Sequence, residues 1–310
     1  MRKIIIVSIT LFLLLLPILA DSIPSKKVIK VAILRQKWDP LDVTIGDSVS
    51  NNFHKLLLKE AEARYDVKFK IYEFWDDWNG GDVQNGSLIK KHIDVAIAPG
   101  GFGFWCTPEK YRKEIKKFVR NGGGFYGICG DSIFGSIGIK HMNNKYADIG
   151  SKLLGFKGLT PMLCLVNVYS DGSVFVEYIK KSILMMRMDM IRFLLELPTS
   201  RAPIYIVPSS LDIQKPYFNQ KINVMLGAPP MVDGSAIRKL YMPKVYTIAV
   251  LKGYDKPYSE DIEGKKAIVA SRYGKGRVIL SAVHPELTIA NSKAHDIYAR
   301  NVLWLARVIN

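Results

Sequence analysis

Apolar positions along the chain alternate between two periods. Residues 28–34 (VIKVAIL) are nearly all apolar and β-branched, the composition of a strand buried on both faces of a parallel sheet. Residues 47–63 place Val49, Phe53, Leu56, Leu57 and Ala61 on one helical stripe. Residues 67–74 alternate as a strand, and residues 93–98 (IDVAIA) form a short buried one. Strand, helix, strand, strand is the opening of a doubly wound sheet. Pro99-Gly100-Gly101 then makes a turn at a strand's carboxyl end. The next helix has Thr107 as its cap, Pro108 at its first position, Tyr111, Ile115, Phe118 and Val119 as its stripe, and Gly122 as its stop. Residues 125–128 are another buried strand ending at Cys129, with a new helix starting at Asp131 or Ser132.

Past this point the pattern weakens. Residues 163–168 read as a strand, which makes Cys164 a core residue, and the methionine- and leucine-rich stretch 174–197 reads as a helix. Residues 198–234 mix short strand-like runs (IYIV, INVML) with prolines and glycines. No composition shift marks a second domain. The expected organisation is one domain over residues 27–310, with an elaboration at about 170–235. The end is clearer: a strand at 245–251, a hairpin of 267–273 with 277–282 across Gly274-Lys275-Gly276, then His284-Pro285-Glu286 and a closing helix at 292–308.

The first twenty residues stand apart. Arg2 and Lys3 precede an apolar run from Ile4 to Ala20, with Pro17 near its end and Ala20-Asp21 as a cleavage point. This is the layout of a signal peptide; its length also suits an N-terminal membrane anchor. Either reading places the rest of the chain outside the cytoplasm. The 310 residues carry a formal charge of +16, which for an exported protein points to a lysine-rich solvated surface or an anionic envelope surface. No basic run is interleaved with stacking aromatics, so nucleic acid is not an expected partner. Three cysteines are too few for a disulfide scaffold, and no Cys-x-x-Cys or His-x-x-x-His spacing suggests a metal. No cofactor is expected.

Chemistry concentrates at Gly127-Ile128-Cys129-Gly130-Asp131-Ser132. A nucleophile at a sharp strand-to-helix turn needs small neighbours, because the backbone there is strained and crowded. A helix N-terminus beside the sulfur favours its anionic form, the attacking species. His284 follows a strand and can act as general base and then acid, with Glu286 orienting its ring. The amides of the Gly100-Gly101 turn, with that of Gly130, can form an oxyanion hole. Cys106 lies in an aromatic loop with Phe102, Phe104 and Trp105; it is read as loop packing or a pocket wall. Trp75, Asp76, Asp77 and Trp78 form a loop read as surface or as substrate rim.

The order strand–PGG, helix, GGGFYGIC and finally GKGRVILSAVHPE resembles the class I glutamine amidotransferase-like superfamily, in detail the branch called the biotin-protein-ligase-like N-terminal domain. The resemblance covers residues 28–129 and 245–303 and is weak between them. It implies a flavodoxin-like, doubly wound, mostly parallel α/β sheet with helices on both faces. It also implies Cys129 as nucleophile, His284 and Glu286 completing a triad, and oxyanion donors near Gly101 and Gly130. Glutamine-hydrolysing members show Gly-x-Cys-x-Gly-x-Gln, where this chain has Asp131 and Ile133 at the last two positions. The expected function is therefore an exported amidase- or peptidase-type hydrolase of a small-molecule or peptide substrate rather than a glutaminase. The alternative is a non-catalytic small-ligand or envelope-binding protein on the same fold.

Overall fold

The computed structural model describes residues 26–39, 42–43, 50–142, 151–152, 155, 157–172, 202–252, 262–288 and 290–310. The leader at 1–20 and the methionine-rich stretch at 174–197 lie outside them. Thirteen strands follow in chain order: β1 (Lys27–Gln36), β2 (Val67–Asp76), β3 (Val95–Ala98), β4 (Gly124–Ile128), β5 (Ile139–Lys140), β6 (Val168–Asp171), β7 (Ala202–Ile206), β8 (Lys221–Leu226), β9 (Met231–Asp233), β10 (Tyr246–Leu251), β11 (Lys266–Tyr273), β12 (Gly276–Ser281) and β13 (Val283–His284). The described α-helices are α1 (Ser50–Tyr65), α2 (Ser87–Lys90), α3 (Glu109–Arg120), α4 (Gly130–Gly135) and α5 (Ser292–Leu305).

The main path of the sheet runs β13-β8-β7-β10-β11-β12-β4-β3-β1-β2. Five strands at one end, β2, β1, β3, β4 and β12, are mutually parallel. From β12 through β11, β10, β7 and β8 to β13 every pairing is antiparallel. The parallel strands β3 and β4 are buried along their whole length, as strands covered on both faces must be.

This arrangement corrects the expectation of a flavodoxin-like, doubly wound, mostly parallel sheet with helices on both faces. Of the twelve pairings between described strands, seven are antiparallel and five parallel. Only α1, α3 and α5 among the described helices reach eight residues. The physical reason lies in the connections. Parallel neighbours need a crossover, normally a helix, whereas antiparallel neighbours need only a tight turn. Two residues, Gly274 and Lys275, join the antiparallel neighbours β11 and β12. Within residues 202–233, β7, β8 and β9 pair in the same sheet.

Local differences have similar causes. On α1 the buried stripe is His54, Leu57, Leu58 and Ala61, while Leu56 is exposed. The segment before β6 is not a strand. Leu163 and Leu165 donate backbone hydrogen bonds to Phe134 and Gly135 at the end of α4, and Cys164 takes a positive φ of 53° and is only partly buried. Wrapping a helix end buries the apolar side chains there without a strand. Helix α3 starts one residue later than expected, with Pro108 as its cap, because the Thr107 hydroxyl is engaged with Thr160 instead. Helices α1 and α5 pack together through His54 against Tyr298 and Arg64 against Asp296.

Candidate active site

Cys129 follows the last residue of β4 and precedes the first of α4. Its backbone has φ 53° and ψ −123°, in the region that strains an L-residue. The turn is fixed from both sides: the Cys129 amide donates to the Ser281 carbonyl at 2.8 Å, and its carbonyl accepts from the Ser132 amide at 3.0 Å. Its neighbours cannot be larger than glycine. A Cβ on Gly127 would lie 2.4 Å from the Asp131 carbonyl oxygen, and one on Gly130 would lie 1.9 Å from that of Gly101. The small residues flanking the cysteine in sequence thus have a steric cause. Cys129, Cys106 and Cys164 are all free thiols.

His284 ends β13 and is positioned by its pairing with Met225 of β8. Thr288 clamps the same place, donating its hydroxyl to the His284 carbonyl at 2.7 Å and accepting the Met225 amide at 2.9 Å. The imidazole Nδ1 and Glu286 Oε1 are 2.6 Å apart, and both side chains are buried. Nε2, on the opposite edge of the ring, has no hydrogen-bond partner of normal geometry. Gly227 shows what it faces: a carbon added there would lie 2.5 Å from Nε2 and 3.1 Å from the Cys129 sulfur. The structure therefore brings Cys129, His284 and Glu286 together.

Charge follows from this packing. Burial opposes the imidazolium, but the Glu286 carboxylate and then the Cys129 sulfur outweigh it and push His284 up to about 10. Burial acts to raise Glu286, and His284 more than reverses it, holding the carboxyl below its usual range. At neutral pH the pair is a buried imidazolium–carboxylate, with Nδ1–H donating to Glu286 and Nε2–H directed at the thiol side.

A second histidine, absent from the sequence reading, lies near this pair. His54 of α1 is fully buried and bonded through Nδ1 to the Tyr298 hydroxyl at 2.8 Å. Burial pushes it down to about 4, with the Glu286 charge acting in the other direction, so it stays neutral. Tyr298 packs on Tyr126 of β4, whose hydroxyl accepts from Asn301, and Asn301 accepts from Gln214. The signal available in sequence was a histidine on the apolar stripe of a helix, a position that ordinarily means core.

The glycine turn divides its roles. Gly100 and Gly101 have φ of 112° and 102°, which only glycine adopts readily. A Cβ on Gly100 would come within 2.6 Å of Cys129 Cβ, so the turn lies directly against the cysteine. The Gly100 amide, however, donates to Asp131 Oδ2 at 3.0 Å. That withdraws it as an oxyanion donor and leaves the amides of Gly101 and Gly130. Asp131 is buried, and burial raises its carboxyl well above the usual range. Ile133, at the glutamine position of the amidotransferase pattern, is 2% exposed and belongs to the core. Cys106 is buried after the short turn Gly103–Trp105.

The loop after β2 is held from within. Asp76 accepts the amides of Val83 and Gln84, Asp77 those of Asn79 and Gly80, and Arg35 stacks over Trp75 at 4.3 Å. Trp78 is half-exposed and packs 5.9 Å from Trp38, whose indole N–H donates to the Gly103 carbonyl at 3.1 Å. Among the described residues no group of three His, Cys, Asp or Glu side chains is placed to hold a metal ion.

No family model and no curated protein matches the chain. Solved structures do resemble it. A cytoplasmic protein from Salmonella typhimurium LT2 is similar at 11% identity and TM-score 0.47, over 89% of this chain and 99% of that one. A β-galactosidase from Bacillus circulans sp. alkalophilus is similar at 10% identity and TM-score 0.46, over 91% of this chain. The chain spans only 31% of the length of that enzyme. A ThuA-like protein from Bacteroides uniformis ATCC 8492 is similar at 11% identity and TM-score 0.43, over 90% of this chain and 92% of that one.

Proposed function

We propose that the protein is a cysteine hydrolase of the amidase or peptidase type, allied to the biotin-protein-ligase-like branch of the amidotransferase-like proteins and acting outside the cytoplasm. The observation that carries this reading is the buried Glu286–His284 pair at 2.6 Å with its free ring nitrogen turned to Cys129 in a positive-φ turn. In the first half-reaction the Cys129 sulfur adds to the substrate carbonyl carbon, and the oxyanion takes hydrogen bonds from the Gly101 and Gly130 amides. Collapse breaks the C–N bond as His284 Nε2–H protonates the departing amine, leaving a thioester. Water then adds as Nε2 takes its proton; the C–S bond breaks, releasing the carboxylic acid and returning the sulfur. Glu286 holds the ring and its charge throughout. Glutamine itself is disfavoured as substrate, because Ile133 is packed in the core and Asp131 occupies the Gly100 amide.

The test is iodoacetamide alkylation of Cys129, followed by mass, alongside a panel of amide and peptide substrates. Rapid alkylation at Cys129 that slows in His284→Ala supports an activated nucleophile. A Cys129 that alkylates at the same rate with or without His284 defeats the catalytic reading. It would favour the second one, a small-ligand-binding protein on the same fold, to which one observation points. Cys129 is only 8% exposed, with Gly227 pressed against both the sulfur and the imidazole.

A further inference from the structure

Eight large hydrophobic residues are exposed among those described, and three fall within five positions: Ile237 at 72%, Leu240 at 85% and Tyr241 at 68%. They occupy the connection from β9 to β10, around a single helical turn at Arg238–Leu240. This connection is firmly built. Its entry is pinned by reciprocal bonds of 3.0 Å between the Asn167 side chain and the Ser235 backbone, and its exit by the Ser271 hydroxyl on the Lys244 carbonyl at 3.0 Å. Inside it, Leu240 donates to Ile237 and Met242 to Arg238. The fold thus holds three apolar side chains out in water, against the tendency that buries them elsewhere.

The charges around them have one sign. The connection, residues 234–245, contains Arg238, Lys239 and Lys244 and no aspartate or glutamate. The nearest carboxylate, Asp233, is paired with Lys266 at 2.7 Å and also lies in the field of Lys239 and Lys140. Apolar tips set among lysines and an arginine match the boundary of a bilayer with anionic headgroups, where aliphatic and tyrosine side chains enter the acyl boundary and cations meet phosphate. An anionic polymer would use the cations but leave Leu240 and Ile237 in water. Among the described residues no helix is long and apolar enough to cross a membrane, so contact by this part of the chain is peripheral. We propose that the 236–244 turn docks the domain onto an anionic lipid surface, with Ile237, Leu240 and Tyr241 inserted and Arg238, Lys239 and Lys244 on the headgroups.

The experiment is partition of the full chain onto phosphatidylcholine vesicles with and without about a third phosphatidylglycerol, with hydrogen exchange read at the amides of residues 237–242. That local readout separates the turn from the apolar leader. Anionic vesicles are expected to protect these amides, more weakly at high salt. Both Ile237→Ser/Leu240→Ser/Tyr241→Ser and Arg238→Glu/Lys239→Glu are expected to weaken partition roughly tenfold. These side chains are on the surface, so unchanged thermal unfolding checks that each variant is folded. No protection at 237–242, or unchanged partition of the apolar variant, overturns the proposal. The first outcome assigns binding to the leader; loss in the charge variant alone assigns it to an anionic polymer.

Discussion

In the parallel half of the sheet, β3 and β4 deliver Gly100 and Cys129 to adjacent carboxyl ends, and what holds them is main chain. A positive φ, glycine contacts that exclude a Cβ, and backbone hydrogen bonds to Ser281 and Ser132 define the position of Cys129. In the antiparallel half, β8 and β13 deliver Gly227 and His284, and what holds the imidazole is side chain. A buried ion pair with Glu286 and the Thr288 clamp set its ring. Backbone geometry is insensitive to pH and tolerates few substitutions. A buried charge pair tolerates conservative shape changes but depends on protonation. The candidate site therefore has one rigid component and one titratable component, which separate experiments can disturb.

The largest expected effect is on the rigid side. Cys129→Ala removes the nucleophile and should lower any amide hydrolysis by roughly 10³-fold or more, while leaving the fold intact; steady-state kinetics with thermal unfolding checks both. Next is the ion pair. Glu286→Gln leaves the buried His284 without its counter-charge and should cost about 3 kcal/mol, or roughly 10 °C in melting temperature; an unchanged melting temperature would mean the pair does not hold this half together. Where the halves meet, Gly227→Ala puts a methyl against Nε2 and the sulfur. An overpacking cost of about 1–3 kcal/mol should accompany slower alkylation of Cys129, measured by mass against wild type.

Titration sharpens the contrast. His284 is raised in the folded state, so its stabilising contribution is complete below its ordinary value of 6.5 and is lost as pH climbs toward about 10. Glu286 is lowered, so its contribution is present above 4.5 and disappears on acidification. The melting temperature should fall by roughly 5 °C between pH 6.5 and 10 in the wild type, and this slope should flatten in His284→Gln. Smallest of all, Cys164→Ser, at a partly buried site outside both halves' contact, should change stability by less than about 0.5 kcal/mol.

The same division explains what could be read from the chain. The glycines around Cys129 are visible in sequence because steric exclusion at a turn forces residue type, and His284-Pro285-Glu286 is visible because its two polar members are two residues apart. Gly227 gave no signal: its constraint comes from a sulfur 98 positions earlier and an imidazole 57 positions later. His54 was passed over because helical spacing marks a buried face without saying that a polar ring on it is hydrogen-bonded. The sheet class was misjudged because the first four strands read as a parallel array, whereas β7 and β8 come from a stretch interrupted by prolines and glycines. Residues 163–168 read as a strand, of which only Val168 lies in β6, because burial against a helix end leaves the same apolar run as burial in a sheet.

Strand β12 carries a consequence for how the molecule is assembled. It lies between β4 and β11, bonding Ser281 beside Ile128 across some 150 residues of chain. Strands β1 to β4 end by residue 128, yet the gap beside β4 closes only when residues 276–281 are available. Such long-range pairing is slow and follows local structure in time. A nascent or truncated chain ending before residue 276 would display β4 as an open edge and Cys129 without His284 beside it. The meeting of Cys129 with His284 in this way waits on strands β12 and β13.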